Sequence, residues 1–174
     1  MKKYILVTVF TLVSILSINA QDYKWWIGGR TTLWAGDKEN VVVIAPEIGY
    51  HLNQKFTVAA SLGFHSYNYD NDDQYMREDI NGFVLNPYLR YNVFKKGILF
   101  GYVDGGVEFG LGDIEGVQAG LKPGIAVAIT DRFCVAMQFG FVGYNDGKGL
   151  GARSKGFGLD LSGYQSGLAF FYSF

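Results

Sequence analysis

The chain has 174 residues, which is enough for one domain, and its 15 basic and 16 acidic side chains nearly cancel to a formal net charge of −1. That balance excludes the basic footprint of a nucleic-acid binder. Aromatics make up 17% of the residues and glycine occurs 24 times against 3 prolines, a composition that suits curved, closed sheets better than helices.

The first element is a leader. Lys2 and Lys3 precede an apolar run from Tyr4 to Ile18, and Asn19-Ala20-Gln21 follows. A basic start, a short apolar core and a small residue at the end describe a signal peptide over residues 1–20, cleaved after Ala20, with one domain at 21–174. The run is shorter than the ~18 to 20 apolar residues of a spanning helix, and no later segment is long enough either. Cys134 is the single cysteine, so no internal disulfide can form, and it reads as a small packing residue inside a strand.

From Tyr23 onward the pattern has period two, and eight strands are expected, at about 23–34, 40–52, 55–69, 80–94, 98–111, 116–130, 133–144 and 157–174. Asn53-Gln54, Lys95-Lys96-Gly97 and Asp131-Arg132 read as tight turns. The other connections, 35–39, 70–79, 112–115 and 145–156, read as longer polar loops. Short turns at one end and long loops at the other are the pattern of a membrane barrel. A tilted membrane strand takes ~9 to 11 residues, so eight crossings fit this length. The predicted fold is all-β, an eight-stranded antiparallel up-and-down transmembrane β-barrel, with a monomer expected.

Pro46, Pro87 and Pro123 each fall about eight residues before a tight turn, in segments that repeat one hairpin unit. Proline removes a ladder hydrogen bond, so a bulge is expected near each.

One face of each strand is apolar. Pro46, Ile48 and Tyr50 illustrate it in the second strand, Phe83, Leu85 and Leu89 in the fourth, and Phe133, Val135, Met137, Phe139 and Phe141 in the seventh. The opposite faces carry Arg30, Glu47, Arg90, Asp104, Glu108 and Lys122, three charges of each sign, together with His51, Ser61, His65, Asn86, Asn92 and Gln138. In a narrow membrane barrel this polar face lines a packed interior, where opposite charges pair. Glu47 with Arg90, and Arg30 with Asp104 or Glu108, are the expected pairs. The rival architecture is a soluble sandwich, which would turn every face the other way. Tyr50, Tyr91 and Tyr172, with Trp25, Phe56, Phe94 and Phe133, gather near the short turns, as an interfacial girdle would.

The final segment places Leu168, Phe170, Tyr172 and Phe174 on one face and Gly167, Ala169, Phe171 and Ser173 on the other. A terminal Phe with apolar residues at alternate positions resembles the C-terminal signal that the barrel-assembly machinery of Gram-negative bacteria reads. With the proline-centred strands and alternating turns, residues 22–174 resemble the small eight-stranded outer-membrane β-barrel family, of the porin-like kind. The Ala20-Gln21 junction and the Pro46-Glu47-Ile48-Gly49-Tyr50 strand are similar to Bacteroidetes members. The resemblance implies an outer-membrane location, with lipid and lipopolysaccharide as surroundings and the assembly machinery as a partner during biogenesis. It implies no single activity.

No phosphate loop, zinc spacing or hydrolase elbow is present, and no catalytic, cofactor-binding or metal site is expected. Asp70-Asn71-Asp72-Asp73 lacks the central Gly and final Glu of a calcium loop and reads as a solvated outer loop. His65 and Ser66 are adjacent, so they point to opposite faces and do not form the pair of a lipid A deacylase barrel. Eight strands enclose an interior just wide enough for side chains. The expected role is structural or surface-interacting, with loops 70–79 and 145–156 available to an extracellular ligand. A narrow channel for small solutes is the alternative, and a lipid A-modifying enzyme ranks behind it.

Overall fold

The computed structural model describes residues 24–36, 39–71, 76–148, 150, 155–161 and 166–174. The leader at 1–20, Asp72 and Asp73 of the acidic stretch, and residues 151–154 of the last loop lie outside the described residues.

Ten strand segments build eight staves. They are β1 (Trp25–Ala35), β2 (Glu39–His51), β3 (Phe56–Asn71), β4 (Met76–Lys96), β5 (Leu99–Gly112), β6 (Glu115–Ala128), β7 (Phe133–Gln138), β8 (Phe141–Lys148), β9 (Gly156–Asp160) and β10 (Gly167–Ser173). Each stave pairs antiparallel with its sequence neighbours. β7 and β8 share the seventh position, both against β6, and β9 and β10 share the eighth. The ring closes where β10 pairs with β1, from Trp26 opposite Ser173 to Thr31 opposite Leu168. Period-two alternation then decides what lies inside, because successive side chains point to opposite faces of the sheet.

The staves match the expected strands, with breaks in phase between Asn92 and Phe94 toward β5 and in the seventh strand. Phe141 was expected to continue the apolar outer face of the seventh strand; it lies inside, 3% exposed. Gly124 faces Gln138 and Leu121 faces Val142, so two residues of β6 stand against three of the partner stave. The extra residue forms a bulge at Gly140, whose φ of 72° suits glycine, and every side chain beyond it swaps faces. This bulge lies beside Pro123, as expected there. Pro46 and Pro87 show none: register runs unbroken through both, and the ladder only omits rungs, at Ala45–Pro46 toward β3 and at Asn86–Pro87 toward β5. Losing one or two rungs in a long two-sided ladder needs no extra residue.

The expected loop 70–79 is also largely strand. β3 runs to Asn71 and β4 starts at Met76, and the pair stays in register from Phe56 opposite Tyr91 to Asn71 opposite Met76. Only the first six of these rungs on β4, Met76–Asn81, lie beyond the reach of β5, whose last partner is Gly112 opposite Gly82. The first four positions of the expected loop 145–156 likewise belong to β8.

Candidate functional site

The outer surface and the interior are opposite in chemistry. Leu62, Phe83, Leu85, Leu121 and Met137 are half-exposed on the outside, whereas Glu47, Arg90 and Asp104 are buried within. A soluble sandwich would bury the first set and expose the second. The apolar faces do not cover one another, so that rival architecture is excluded. The uncharged outer girdle is bounded near the short turns by ring pairs, Trp25 on Tyr50 and Phe56 on Tyr91.

Among the described residues, the interior has three layers. At the short-turn end sits an aromatic plug of Trp26, Tyr88, Tyr102 and Phe171. Each ring faces a glycine directly across a ladder: Trp26 faces Gly49, Tyr88 faces Gly106, Tyr102 faces Gly124 and Phe171 faces Gly28. At Gly49, Gly124 and Gly28 the ring lies where a Cβ atom would be, and at Gly106 a Cβ would meet the Tyr88 Cβ and the Pro87 carbonyl. The Arg90 guanidinium threads this plug, 4.0 Å from the Tyr102 ring centre and 4.9 Å from that of Phe171. Stacking on π faces offsets part of the cost of a buried cation.

The middle layer holds all six charges singled out from the sequence, joined in pairs that differ from those expected. Arg30 Nη2 lies 3.1 Å from Glu47 Oε1, Arg90 Nε 2.7 Å from Asp104 Oδ1, and Lys122 Nζ 2.5 Å from Glu108 Oε1. Each carboxylate also accepts from one neutral donor: Tyr88 Oη to Glu47 at 2.6 Å, Gln138 Nε2 to Asp104 at 3.0 Å and Asn86 Nδ2 to Glu108 at 3.1 Å. Register explains the exchange of partners. Arg90 stands directly across from Asp104, while Glu47 is level with Ser61, four rungs above the Thr57 that faces Arg90. Glu47 instead sits opposite Gly28, two positions from Arg30. Asp104 is also directly across from Lys122, but Arg90 and Gln138 occupy it, and Lys122 reaches diagonally to Glu108, four positions further along β5.

The third layer is an apolar cap of Ile80, Val84, Ile114 and Leu150 with Tyr67 against it, and Ile114 is fully buried. The sequence reading expects Phe100 or Tyr102 to fill the interior, but it missed this cap and the other rings of the plug. Their signal was present as the glycines that face the large rings, and as Ile114 inside an otherwise polar turn.

A chamber of about 60 Å³ lies between cap and charges, walled by Arg30, Ser61, His65, Asn86, Glu108 and Lys122 among others. A second void of about 10 Å³ adjoins Asp104, Gln118 and Phe141. His65 lies inside, with Nδ1 3.1 Å from Tyr67 Oη, and His51 Nδ1 is 2.7 Å from Thr57 Oγ1. Among the described residues no group of three or more His, Cys, Asp or Glu could hold a metal ion. At the loop end, Lys155 Nζ pairs with Asp146 at 2.7 Å, and this hydrogen bond holds the Lys155 ammonium above its ordinary pKa.

The C-terminal residues Leu168 and Phe170 face outward, while Ala169 and Phe171 are buried. Tyr172 pairs across to Phe133 and Ile27, and the Phe174 N–H donates to the Trp25 carbonyl at 2.9 Å.

No family model matches the sequence, and no curated protein matches it. Among solved structures, the fold is similar to the N-terminal β-barrel domain of Pseudomonas aeruginosa OprF, with a TM-score of 0.55 over 88% of this chain and 98% of that one, at 16% identity. The likeness is one of fold. Both are β-barrels.

Proposed function

We propose that this chain is an integral outer-membrane barrel with a closed interior, acting as a structural or surface-interacting envelope protein. The observation that carries the reading is the inversion of its surfaces: an uncharged apolar belt outside, and three ion pairs with their donors inside. In water such a belt would drive association. In a bilayer it is solvated by lipid, and a closed barrel leaves no unpaired edge in the hydrocarbon. The leader at 1–20 and the terminal motif Leu168, Phe170, Tyr172 and Phe174 belong to the same reading, as the signals for export and for the barrel-assembly machinery. The resemblance to Bacteroidetes members adds the source group. Lipopolysaccharide and lipid are the expected surroundings, and the β3–β4 hairpin and the 145–156 segment the surfaces offered outward.

A narrow channel is the second reading. The void of about 60 Å³ favours it, but the aromatic plug and the apolar cap stand above and below that void. A catalytic role finds no support, since His65 bonds to Tyr67 and Ser66 occupies the opposite face.

Expression with the leader, outer-membrane isolation and gel electrophoresis with and without boiling test the proposal. Outer-membrane recovery with a heat-dependent mobility shift supports it. A soluble species without a shift contradicts it.

A further inference from the structure

We propose that the chamber under the cap is a binding site for a small oxyanion of the size of inorganic phosphate. A buried water needs roughly 10 to 15 Å³ on this measure, so about 60 Å³ has room for roughly four to six water-sized groups. Phosphate or a short carboxylate is that large, and a nucleotide or sugar phosphate is too large.

The wall supplies charge as well as size. Although both lie inside the barrel, Arg30 leaves 13% and Lys122 12% of the side-chain surface uncovered, whereas Glu47, the counter-charge of Arg30, leaves none. The chamber therefore meets the Arg30 cation with its partner turned away. Glu108 is the carboxylate in the wall, and Lys122 and Asn86 both donate to its Oε1. Lys122 has three donors and Arg30 five, so each has N–H groups to spare. A planar or tetrahedral oxyanion accepts charge-assisted hydrogen bonds from a guanidinium and an ammonium together. Ser61 and Asn86 complete a polar rim on the same wall.

The plug around Arg90 bounds the chamber toward the short turns, and the cap of Ile114 and Leu150 on Ile80 and Val84 bounds it toward the loops. The ligand is therefore held in a blind chamber and does not cross the barrel.

The test is calorimetric titration of the folded protein in detergent with sodium phosphate, against sodium chloride at equal ionic strength. Saturable one-to-one binding of phosphate alone is expected. Lys122→Met should weaken it by about tenfold or more, the worth of a charge-assisted hydrogen bond. Ala45→Leu, which fills the chamber from the rung opposite Arg30 and removes no charge, should abolish it. The heat-dependent gel shift verifies folding of each variant, so a barrel that does not form is distinguished from one that does not bind. A folded native barrel with no saturable binding overturns the proposal and leaves a chamber for water alone. Unchanged affinity in whichever of the two variants folds overturns it equally.

Discussion

Arg90 and Asp104 stand directly opposite one another on β4 and β5, joined by two parallel hydrogen bonds, Nε to Oδ1 at 2.7 Å and Nη2 to Oδ2 at 2.8 Å. The fork is bidentate, both residues are buried, and four aromatic rings surround the guanidinium. Removing one partner leaves an uncompensated buried charge, which costs roughly 3 to 5 kcal/mol. Arg90→Met should therefore lower the urea-unfolding free energy of the lipid-embedded barrel by about that amount. Arg90→Met combined with Asp104→Leu should recover most of the loss, since replacing a whole buried pair by apolar residues is often nearly neutral. A double variant as unstable as the single one would show that the pair holds the fold by more than mutual neutralisation.

Tyr102 packs over Gly124, its direct partner on β6. Gly124→Val places a side chain where the ring lies. Overpacking of this kind costs about 1 to 3 kcal/mol. Adding Tyr102→Ala should relieve part of the penalty, a coupling of about 0.5 to 3 kcal/mol between touching residues. Strictly additive effects in the double-mutant cycle would mean that ring and glycine do not meet.

On β4, Leu85 lies in the middle of the apolar belt and Val93 near the short turn, and both are half-exposed. Leu85→Arg should cost about 2 to 4 kcal/mol in a bilayer and Val93→Arg about 0 to 1, because the penalty falls from the midplane to the interface. Equal penalties measured by unfolding from vesicles would place the belt elsewhere on the surface.

The bulge at Gly140 gives a prediction about the backbone. With φ at 72°, a side chain there strains the chain by about 1 to 2 kcal/mol. It also meets Leu161 Cδ2 at 2.8 Å and the Asp160 carbonyl at 3.0 Å. Gly140→Val should destabilise the barrel by at least the strain term. Gly158, with open space around it, should accept alanine with little effect. Similar losses at both positions would remove the special role of the bulge.

The sequence carried the fold through alternation. The outward faces of Phe56 to Phe64 and Phe83 to Tyr91 were readable because polar and apolar residues change places at every step. Alternation fails where it breaks silently. Phe139-Gly140-Phe141 reads as unbroken period two, and only the pairing with β6 reveals the extra residue. The six interior charges were readable one by one, but their partners were not. Partner choice depends on register between strands, and a diagonal contact, such as Lys122 of β6 with Glu108 of β5, competes with the rung straight across. The plug was hidden for another reason: Trp26, Tyr88 and Phe171 are apolar residues on a face judged by its charges. Gly49 and Gly28, opposite Trp26 and Phe171, are the space that those rings fill.

Leu85 faces outward and Asn86 faces the interior. Nitroxide labels at these two positions, and at Leu121, in a Cys134→Ala background would test this placement by collision with oxygen, which partitions into lipid, and with a water-soluble nickel complex. Labels at 85 and 121 should collide strongly with oxygen and weakly with nickel, and the label at 86 weakly with oxygen. Labels at 85 and 121 protected from both reagents, with the one at 86 open to nickel, would mean that the apolar faces are buried against protein, and would contradict the barrel in its membrane.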